Sequence, residues 1–556
     1  MLVFNKINLI FLFSISFFIC SCSKKKQADM LVFNATIYTV DSTFTTAEAM
    51  VILNGKILAV GKITDLEKDY TVKEKLDAKG KFIYPGFIDA HTHFVRYGLG
   101  LKKIDLTDTN SWADVVAKVK AFAAINKDGW IIGRGWDQNH WAVKEFPTNA
   151  ELNALFPDRP LLLSRVDGHA AIANQKALDI ANIKAGDKLV GGIVEVAPST
   201  GSLSESKLTG LLVDNAVDLV STKIPAATDE QYKNLLKDAQ NNCFAVGLTS
   251  VDDCGLDAAD VEKIKILQAN GDLKMRMYVM LSDDKNNYTY LEKTGIIKTE
   301  RLNVRSFKVY GDGALGSRGA CLLEPYNDKA NHYGFLLSNP AHFDSVANWI
   351  EQKGFQMCTH AIGDSCNRAI LKIYAKYLKG KNNQRWRIEH AQVINKNDFN
   401  LFGENSIVPS VQPTHATSDM RWAELRLGSD RVKGAYAYKQ LLQQNGWLPL
   451  GTDFPVEDIS TFKTFYAAVV RKDAKGWPEN GYQMENALSR EETLRGMTIW
   501  AAKANFEENE KGSLEKGKLA DFIILDADIM KVSPDKLLGV QVLKTFIGGE
   551  KVYEKK

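Results

Sequence analysis

Short runs of apolar residues, each followed by polar residues, recur along the central part of the chain. Eight of these runs have the length and β-branched content of strands, at 83–89, 247–252, 274–280, 306–310, 356–360, 387–390, 406–412 and 448–453. Stretches with helical spacing of apolar residues, such as 343–353 and 366–378, lie between successive strands. This alternation predicts an α/β fold with a parallel sheet and crossover helices, and eight such units predict a closed (β/α)₈ barrel.

Both ends of the chain carry a different pattern. Near the start, two apolar runs are separated by Asn54-Gly55, which is the strongest short signal for a β-hairpin because both turn positions favour positive φ. Similar β-rich runs occur at 519–525, 542–547 and 550–553. We therefore predict a composite β-sandwich built from residues 31–82 and 512–556, with the barrel over 83–511.

The connection after the first barrel strand is unusually long. The stretch from His93 to Gly247 far exceeds one crossover connection, and long structureless loops are uncommon in compact domains. We therefore predict a subdomain inserted at 95–245.

The first thirty residues read as an export signal. Lys6 precedes an apolar run over 7–19 of about 13 residues, shorter than the roughly 20 needed to span a membrane. The ending Ile19-Cys20-Ser21-Cys22 resembles a bacterial lipobox, so residues 1–22 hold a signal peptide and lipobox, and the resemblance implies Cys22 as the lipid-bearing first residue of the mature protein. The expectation is an exported lipoprotein, membrane-anchored on the periplasmic side, with a tether at 23–30; an ordinary signal peptide cleaved nearby is the alternative.

Composition narrows the class of partner. With 70 Lys and Arg against 67 Asp and Glu, the net charge is +3, which gives no basic excess for binding nucleic acid. The 45% of hydrophobic residues is ordinary for a folded globular protein. We expect a small-molecule substrate and no nucleic-acid partner; barrels of this kind often form oligomers, but the composition marks no interface.

Polar residues fall where a barrel places its active site, at the carboxyl ends of the strands. Possible metal ligands lie in or at the end of five predicted strands: His91, His93, Lys308, His360, His390 and Asp453. A single histidine at a strand end is usually structural, but four of the nine histidines at the ends of three strands exceed what chance placement would give. Neutral imidazole and carboxylate suit Zn²⁺ and related divalent ions.

Several motifs carry a family resemblance. They are Pro85-Gly-Phe-Ile-Asp-Ala-His-Thr-His93, Gly135-Trp-Asp-Gln138, Lys308-Val-Tyr-Gly-Asp-Gly-Ala314, Thr359-His-Ala-Ile-Gly-Asp364, Ile388-Glu-His-Ala-Gln392 and Gly451-Thr-Asp-Phe-Pro455. Through them the sequence resembles the amidohydrolase superfamily, and more narrowly its branch of N-acyl amide hydrolases that includes N-substituted formamide deformylases and exoenzyme regulators. The likeness runs from about residue 31 to 553.

The resemblance implies a barrel beside a composite β-sandwich and a centre of one or two divalent ions, most simply Zn²⁺. It implies His91 and His93 on the more buried ion, and His360 and His390 on the more exposed ion. It also implies Lys308 as an N-carboxylated bridge and Asp453 as both ligand and catalytic proton shuttle. A single-ion centre beside an unmodified Lys308 stays open as the alternative.

The implied activity is hydrolysis of the C–N bond of a small N-acyl substrate by metal-activated hydroxide. The alternatives are a cyclic amide or ester hydrolase, a deaminase, or a non-catalytic binding lipoprotein on the same scaffold. The candidate substrate contacts are Trp136, Asp137, Gln138, His169, Gly313 and Arg318. The remaining histidines are expected to bind no metal, and among them only His415 lies where a pocket residue could be.

Overall fold

The computed structural model describes residues 25–197 and 207–556. The predicted signal peptide and Cys22 lie outside these residues. Within the described ranges, none of the helices combines the length and apolar character that a membrane span requires.

The strands and helices follow one another along the whole described chain. The strands are β1 (Lys26–Tyr38), β2 (Thr46–Ala47), β3 (Ala49–Leu53), β4 (Lys56–Gly61), β5 (Tyr70–Pro85), β6 (Phe87–Thr92), β7 (Ile104–Asp105), β8 (Ile131–Trp136), β9 (Leu161–Arg165), β10 (Ala170–Ala173), β11 (Gly192–Val196), β12 (Leu208–Asp214), β13 (Leu248–Leu256), β14 (Arg276–Ser282), β15 (Ile297–Lys298), β16 (Leu302–Tyr310), β17 (Gln356–Ala361), β18 (Arg387–His390), β19 (Val408–Ser410), β20 (Phe522–Leu525), β21 (Val542–Ile547) and β22 (Glu550–Glu554). The helices are α1 (Ile63–Asp69), α2 (Phe94–Gly100), α3 (Trp112–Ile125), α4 (Ala150–Leu155), α5 (Gln175–Ile180), α6 (Asn215–Ser221), α7 (Asp229–Ala245), α8 (Ala258–Ala269), α9 (Lys285–Thr294), α10 (Pro340–Lys353), α11 (Asp364–Leu378), α12 (Phe399–Glu404), α13 (Pro413–Asp419), α14 (Ala423–Arg431), α15 (Tyr438–Asn445), α16 (Thr461–Val470), α17 (Arg490–Gly496) and α18 (Ile499–Ala504).

The central unit is a parallel barrel. Its hydrogen-bonded order is β6, β13, β14, β16, β17, β18, β19. The segment 448–453 supplies the eighth side, because Leu450 forms a parallel bridge with Val411 and accepts a hydrogen bond from the Ala90 amide at 3.1 Å. All residues of β6 are buried, as expected for strands covered on both faces. The predicted α/β barrel is confirmed.

The two ends of the chain build one mixed sheet, as predicted. Its order is β22, β21, β20, β5, β1, β3, β4, with β20 antiparallel to β5 and β1 parallel to β5. The predicted hairpin joins β3 to β4, with Asn54 at φ 50° and Gly55 at φ 74°. The strands are continuous in hydrogen bonding, and Val32, Met50 and Phe522 share one buried core beneath them.

The predicted tether over 23–30 is wrong for Lys26–Met30, which begins β1. These residues pair in parallel with β5, from Lys26 opposite Tyr70 to Met30 opposite Glu74. The physical reason is that Ala28 is buried and the Asp29 carboxylate accepts the Asn54 amide at 2.7 Å. Side chains alternate across a strand, so a polar run can still pair through its backbone.

The insertion after the first barrel strand forms a sheet of its own. Its order is β11, β12, β10, β9, β8, β7, and it lies in the chain between β6 and β13. Separate apolar clusters cover its two faces, one around Trp136 and Leu163 and the other around Leu162 and Leu212. The sheet is therefore a subdomain whose loops can reach the mouth of the barrel.

Candidate metal centre

His91 and His93 at the end of β6 present the same nitrogen to the barrel interior. His91 Nδ1 lies 2.6 Å from Glu389 Oε2, and His93 Nδ1 lies 2.9 Å from the carbonyl oxygen of Cys254. Both partners are acceptors, so each Nδ1 carries the proton and each Nε2 keeps a lone pair. Burial alone would raise the pKa of Glu389, but the hydrogen bond from His91 and the nearby charges of Arg387 and Lys308 outweigh it and hold that pKa below its usual range.

The Asp453 carboxylate completes a group that suits a cation. Its Oδ1 lies 3.3 Å from His93 Nε2 and 3.6 Å from His91 Nε2, and no donor in the described part of the chain hydrogen-bonds to it. Two nitrogen lone pairs and one carboxylate oxygen thus face each other in a buried space. A divalent ion would satisfy all three, and the residues present fit such a group.

Lys308, His360 and His390 join the same cluster. Lys308 Nζ lies 3.2 Å from His91 Nε2. The His390 ring centroid is 4.7 Å from that of His91 and 4.6 Å from that of His360. His390 Nδ1 lies 2.8 Å from Gln412 Oε1, while His360 Nε2 is buried without a hydrogen-bond partner among the described atoms. The six residues singled out from strand ends therefore meet in one place.

Two members of this cluster were not assigned to the metal centre from the sequence. Glu389 is fully buried against His91, and His415 lies with Nε2 3.2 Å from Asp453 Oδ2 and Nδ1 3.1 Å from Glu457 Oε1. His390, His415 and Asp453 form a second group able to hold an ion, so setting His415 aside as a non-metal residue is not supported. The available signal was position alone, since His415 follows the seventh strand directly.

The prediction that Trp136 contacts substrate is wrong. Its ring is fully buried in the core of the inserted sheet, and its indole nitrogen donates to the Leu163 carbonyl at 2.8 Å. Asp137 and Gln138 instead hold the Arg165 guanidinium, Asp137 by an ion pair and Gln138 Oε1 at 2.9 Å from Arg165 Nε. This motif therefore builds the loop of the inserted sheet.

His169 is a residue of the inserted subdomain that lies beside the cluster. Its ring centroid is 5.1 Å from that of His360, and its Nδ1 lies 2.6 Å from Asp214 Oδ1. Gly313 makes room for this pair, because a Cβ there would lie 2.6 Å from Asp214 Oδ2. Arg318, by contrast, pairs with Asp328 at 3.0 Å, so its guanidinium is engaged within the chain.

A parallel barrel with imidazoles and a carboxylate gathered at the carboxyl ends of its strands defines a metal-dependent hydrolase scaffold. The sequence model described as "Amidohydrolase family" matches residues 74–553. The chain belongs to the amidohydrolase family.

Full-length relatives agree with this assignment. "Protein LONG AFTER FAR-RED 3" of Arabidopsis thaliana is 34% identical over 548 residues, covering 95% of this chain and 92% of its own length. The "N-substituted formamide deformylase" of Arthrobacter pascens is 26% identical over 553 residues, covering 95% and 99%. The crystal structure of an uncharacterized metal-dependent hydrolase from Pyrococcus horikoshii superposes with a TM-score of 0.72 at 28% identity, covering 91% and 99%. The predicted branch resemblance is confirmed.

Proposed function

We propose that the protein is a metal-dependent hydrolase that cleaves the C–N bond of a small N-acyl substrate. The ligands are His91, His93, His360, His390 and Asp453, with Zn²⁺ as the ion and Lys308 carboxylated on Nζ. The observation that carries the proposal is the convergence of the His91 and His93 Nε2 lone pairs on the unpaired Asp453 Oδ1. The deformylase relative, which by its name acts on N-substituted formamides, supports the bond type.

The chain's own residues have distinct tasks in this proposal. Glu389 and the Cys254 carbonyl fix the tautomers of His91 and His93. A bound divalent ion would supply a water of pKa about 7 and polarise the acyl carbonyl. Asp453 takes the proton of the attacking water and passes it to the leaving nitrogen. His169, beside His360, is the residue of the inserted sheet placed to contact substrate.

Lys308 has a role only after modification. An ammonium cannot bind a cation. Once it has lost a proton, the neutral amine can add CO₂ and release a second proton, which gives a carbamate whose two oxygens could hold two ions. Its Nζ lies 3.2 Å from Nε2 of His91, one of the residues that would hold an ion.

Metal content tests the centre. We would purify the chain beginning after Cys22 without chelator and with bicarbonate, and measure divalent ions per chain by elemental analysis. The proposal predicts about two ions, falling to one or none in Lys308→Ala. A content of one ion per chain that Lys308→Ala leaves unchanged would contradict the bridging role of Lys308. A chain that holds no ion after reconstitution would favour a binding protein over an enzyme.

Turnover tests the role of Asp453. Asp453→Asn should keep the fold and lower kcat by about 10²- to 10⁴-fold, the usual contribution of a positioned acid–base group. Asp430→Asn is the matched control, because the Asp430 side chain is 94% exposed. Hydrolysis of N-formyl and N-acetyl amines that survives in Asp453→Asn at wild-type rate would contradict the assignment.

We further propose that the protein is exported and anchored to the membrane by lipid on Cys22. The support is the N-terminal sequence, in which a charged start and an apolar run precede a lipobox-like ending.

A further inference from the structure

Three cations lie together where the inserted sheet meets the barrel. Arg96 is in the first turn of α2, three residues past His93; Lys103 lies in the turn after α2; and Arg134 is on β8. None of the three forms an ion pair with a carboxylate of the described residues. Arg165 on the neighbouring strand, in contrast, pairs with both Asp137 and Asp167. Carboxylates lie within electrostatic range of Arg96 and Arg134, Asp218 among them, but none in the described part of the chain is close enough to pair with these cations.

Both guanidinium groups converge on one loop at the mouth of the barrel. Arg134 donates to the Val166 carbonyl at 2.6 Å and to the Pro455 carbonyl, two residues beyond Asp453. A Cβ added to Gly168 would meet Arg96 Nη1 at 3.8 Å. The same loop leads directly to His169, whose ring lies beside His360. The cations thus border the candidate metal centre.

The three side chains differ in what they can offer a ligand. Arg96 is exposed and makes no hydrogen bond to the described residues, so its planar fork is free for a bidentate contact. Arg134 already serves two backbone carbonyls and contributes mainly charge. Burial, and then the charges of Arg96 and Arg134, lower the pKa of Lys103 to about 8. The three cations therefore lie within electrostatic range of one another.

We infer that Arg96, Lys103 and Arg134 form an anion subsite and that the substrate carries an anionic group, a carboxylate or a phosphate, beside its amide. An exposed guanidinium that no group of the described residues hydrogen-bonds can bind a carboxylate or phosphate bidentately, and two further cations beside it favour an anion. The geometry then seats the anionic group on Arg96 and directs the amide toward His169 and the centre. The assignment of this group to a substrate rests on the proposed hydrolase function.

Binding of small probes to the chain beginning after Cys22 tests the subsite. The probes share one alkyl chain: butyrate, n-butyl phosphate and neutral n-butanol, each titrated by calorimetry. We expect at least one anion to bind roughly tenfold or more tightly than butanol, and the tighter anion identifies the group. Arg96→Gln should abolish that preference, and Lys103→Gln should weaken it.

Lys102→Gln is the matched control, since it removes the same charge from an exposed neighbouring lysine and should leave binding unchanged. Because Arg96 is exposed, its substitution should not alter the melting temperature. An absence of anion preference would overturn the inference. So would anion binding that persists in Arg96→Gln, since it would place the anion on the metal centre instead.

The two proposals fail in distinguishable ways. Anion binding through Arg96 by a chain that takes up no metal would contradict the hydrolase and keep the subsite. A metal-loaded chain that hydrolyses neutral N-acyl amides but shows no anion preference would contradict the subsite and keep the hydrolase.

Discussion

At the scale of single residues, the contact between His91 and Glu389 determines how the His91 ring is oriented in the candidate metal centre. The two residues come from strands on different sides of the barrel and are separated by 298 positions in the chain. Glu389 is fully buried, and its Oε2 accepts the His91 Nδ1 proton. A partner of this kind both orients the ring and makes Nε2 a stronger ligand.

Glu389→Gln should therefore weaken metal binding by about 10- to 100-fold, because the amide keeps the hydrogen bond but loses the negative charge. Competition with a chelator of known affinity measures the change. Glu324→Gln, at an exposed position, serves as the control. Equal metal affinity in Glu389→Gln and the wild type would show that His91 does not depend on this carboxylate.

The residues that the sequence identified and those it missed differ in one respect. His91, His93, His360, His390 and Asp453 end predicted strands, so strand periodicity and the barrel rule suffice to bring them together. Glu389 acts through a contact between distant strands, which spacing does not encode. Trp136 also ends a strand, but that strand belongs to the inserted sheet. Because strands of the inserted sheet and of the barrel show the same apolar pattern, the sequence does not tell which sheet a strand joins.

At the scale of elements, one buried ion pair joins the barrel to the terminal sheet. Arg276 on β14 donates to Asp521, just before β20, through Nε at 2.7 Å and Nη2 at 3.0 Å. Both side chains are at most 5% exposed. Asp521 also accepts the Gly548 amide at 2.7 Å, so a single carboxylate joins three segments.

Asp521→Ala should lower the free energy of unfolding by about 3–5 kcal/mol, because it removes the buried partner charge of Arg276 and leaves only the exposed Glu300 carboxylate, 3.6 Å from Nη1. Chemical denaturation monitored by circular dichroism measures the loss. The double variant Arg276→Met/Asp521→Leu should recover most of it, since apolar residues of similar volume replace both charges. The control Asp128→Ala, on the surface, should change the free energy of unfolding little. If Asp521→Ala lowered it by no more than this control does, the ion pair would not be needed for stability.

Element boundaries show where periodicity is insufficient. The predicted strand over 83–89 is two strands, because β5 ends at Pro85 in the terminal sheet and β6 begins at Phe87 in the barrel. Both parts are apolar and buried, so the sequence reads as one run. Pairing decides the sheet to which each half belongs: Pro85 pairs with Phe522 of the terminal sheet, and Phe87 pairs with Leu248 of the barrel. Both partners lie far along the chain.

At the scale of the whole molecule, the predicted lipid on Cys22 would determine where the protein resides. Cys22→Ser should move the protein from the membrane fraction to the soluble fraction of the cell envelope, because burial of acyl chains supplies the anchor at about 0.8 kcal/mol per CH₂. Cys20→Ser changes a neighbouring cysteine and should leave fractionation as it is. Membrane association of Cys22→Ser at the wild-type level would contradict the lipoprotein assignment.

The terminal sheet also constrains the order in which the molecule can be completed. β5 lies between β1 and β20, and β20 is made only after the whole barrel sequence. Until then one edge of β5 has free amide and carbonyl groups, the kind of edge that pairs with other chains. Contacts so distant in sequence also form slowly. The nascent protein is thus most prone to aggregation before its last forty or so residues are synthesised. A chaperone that covers an open strand edge would act during this interval.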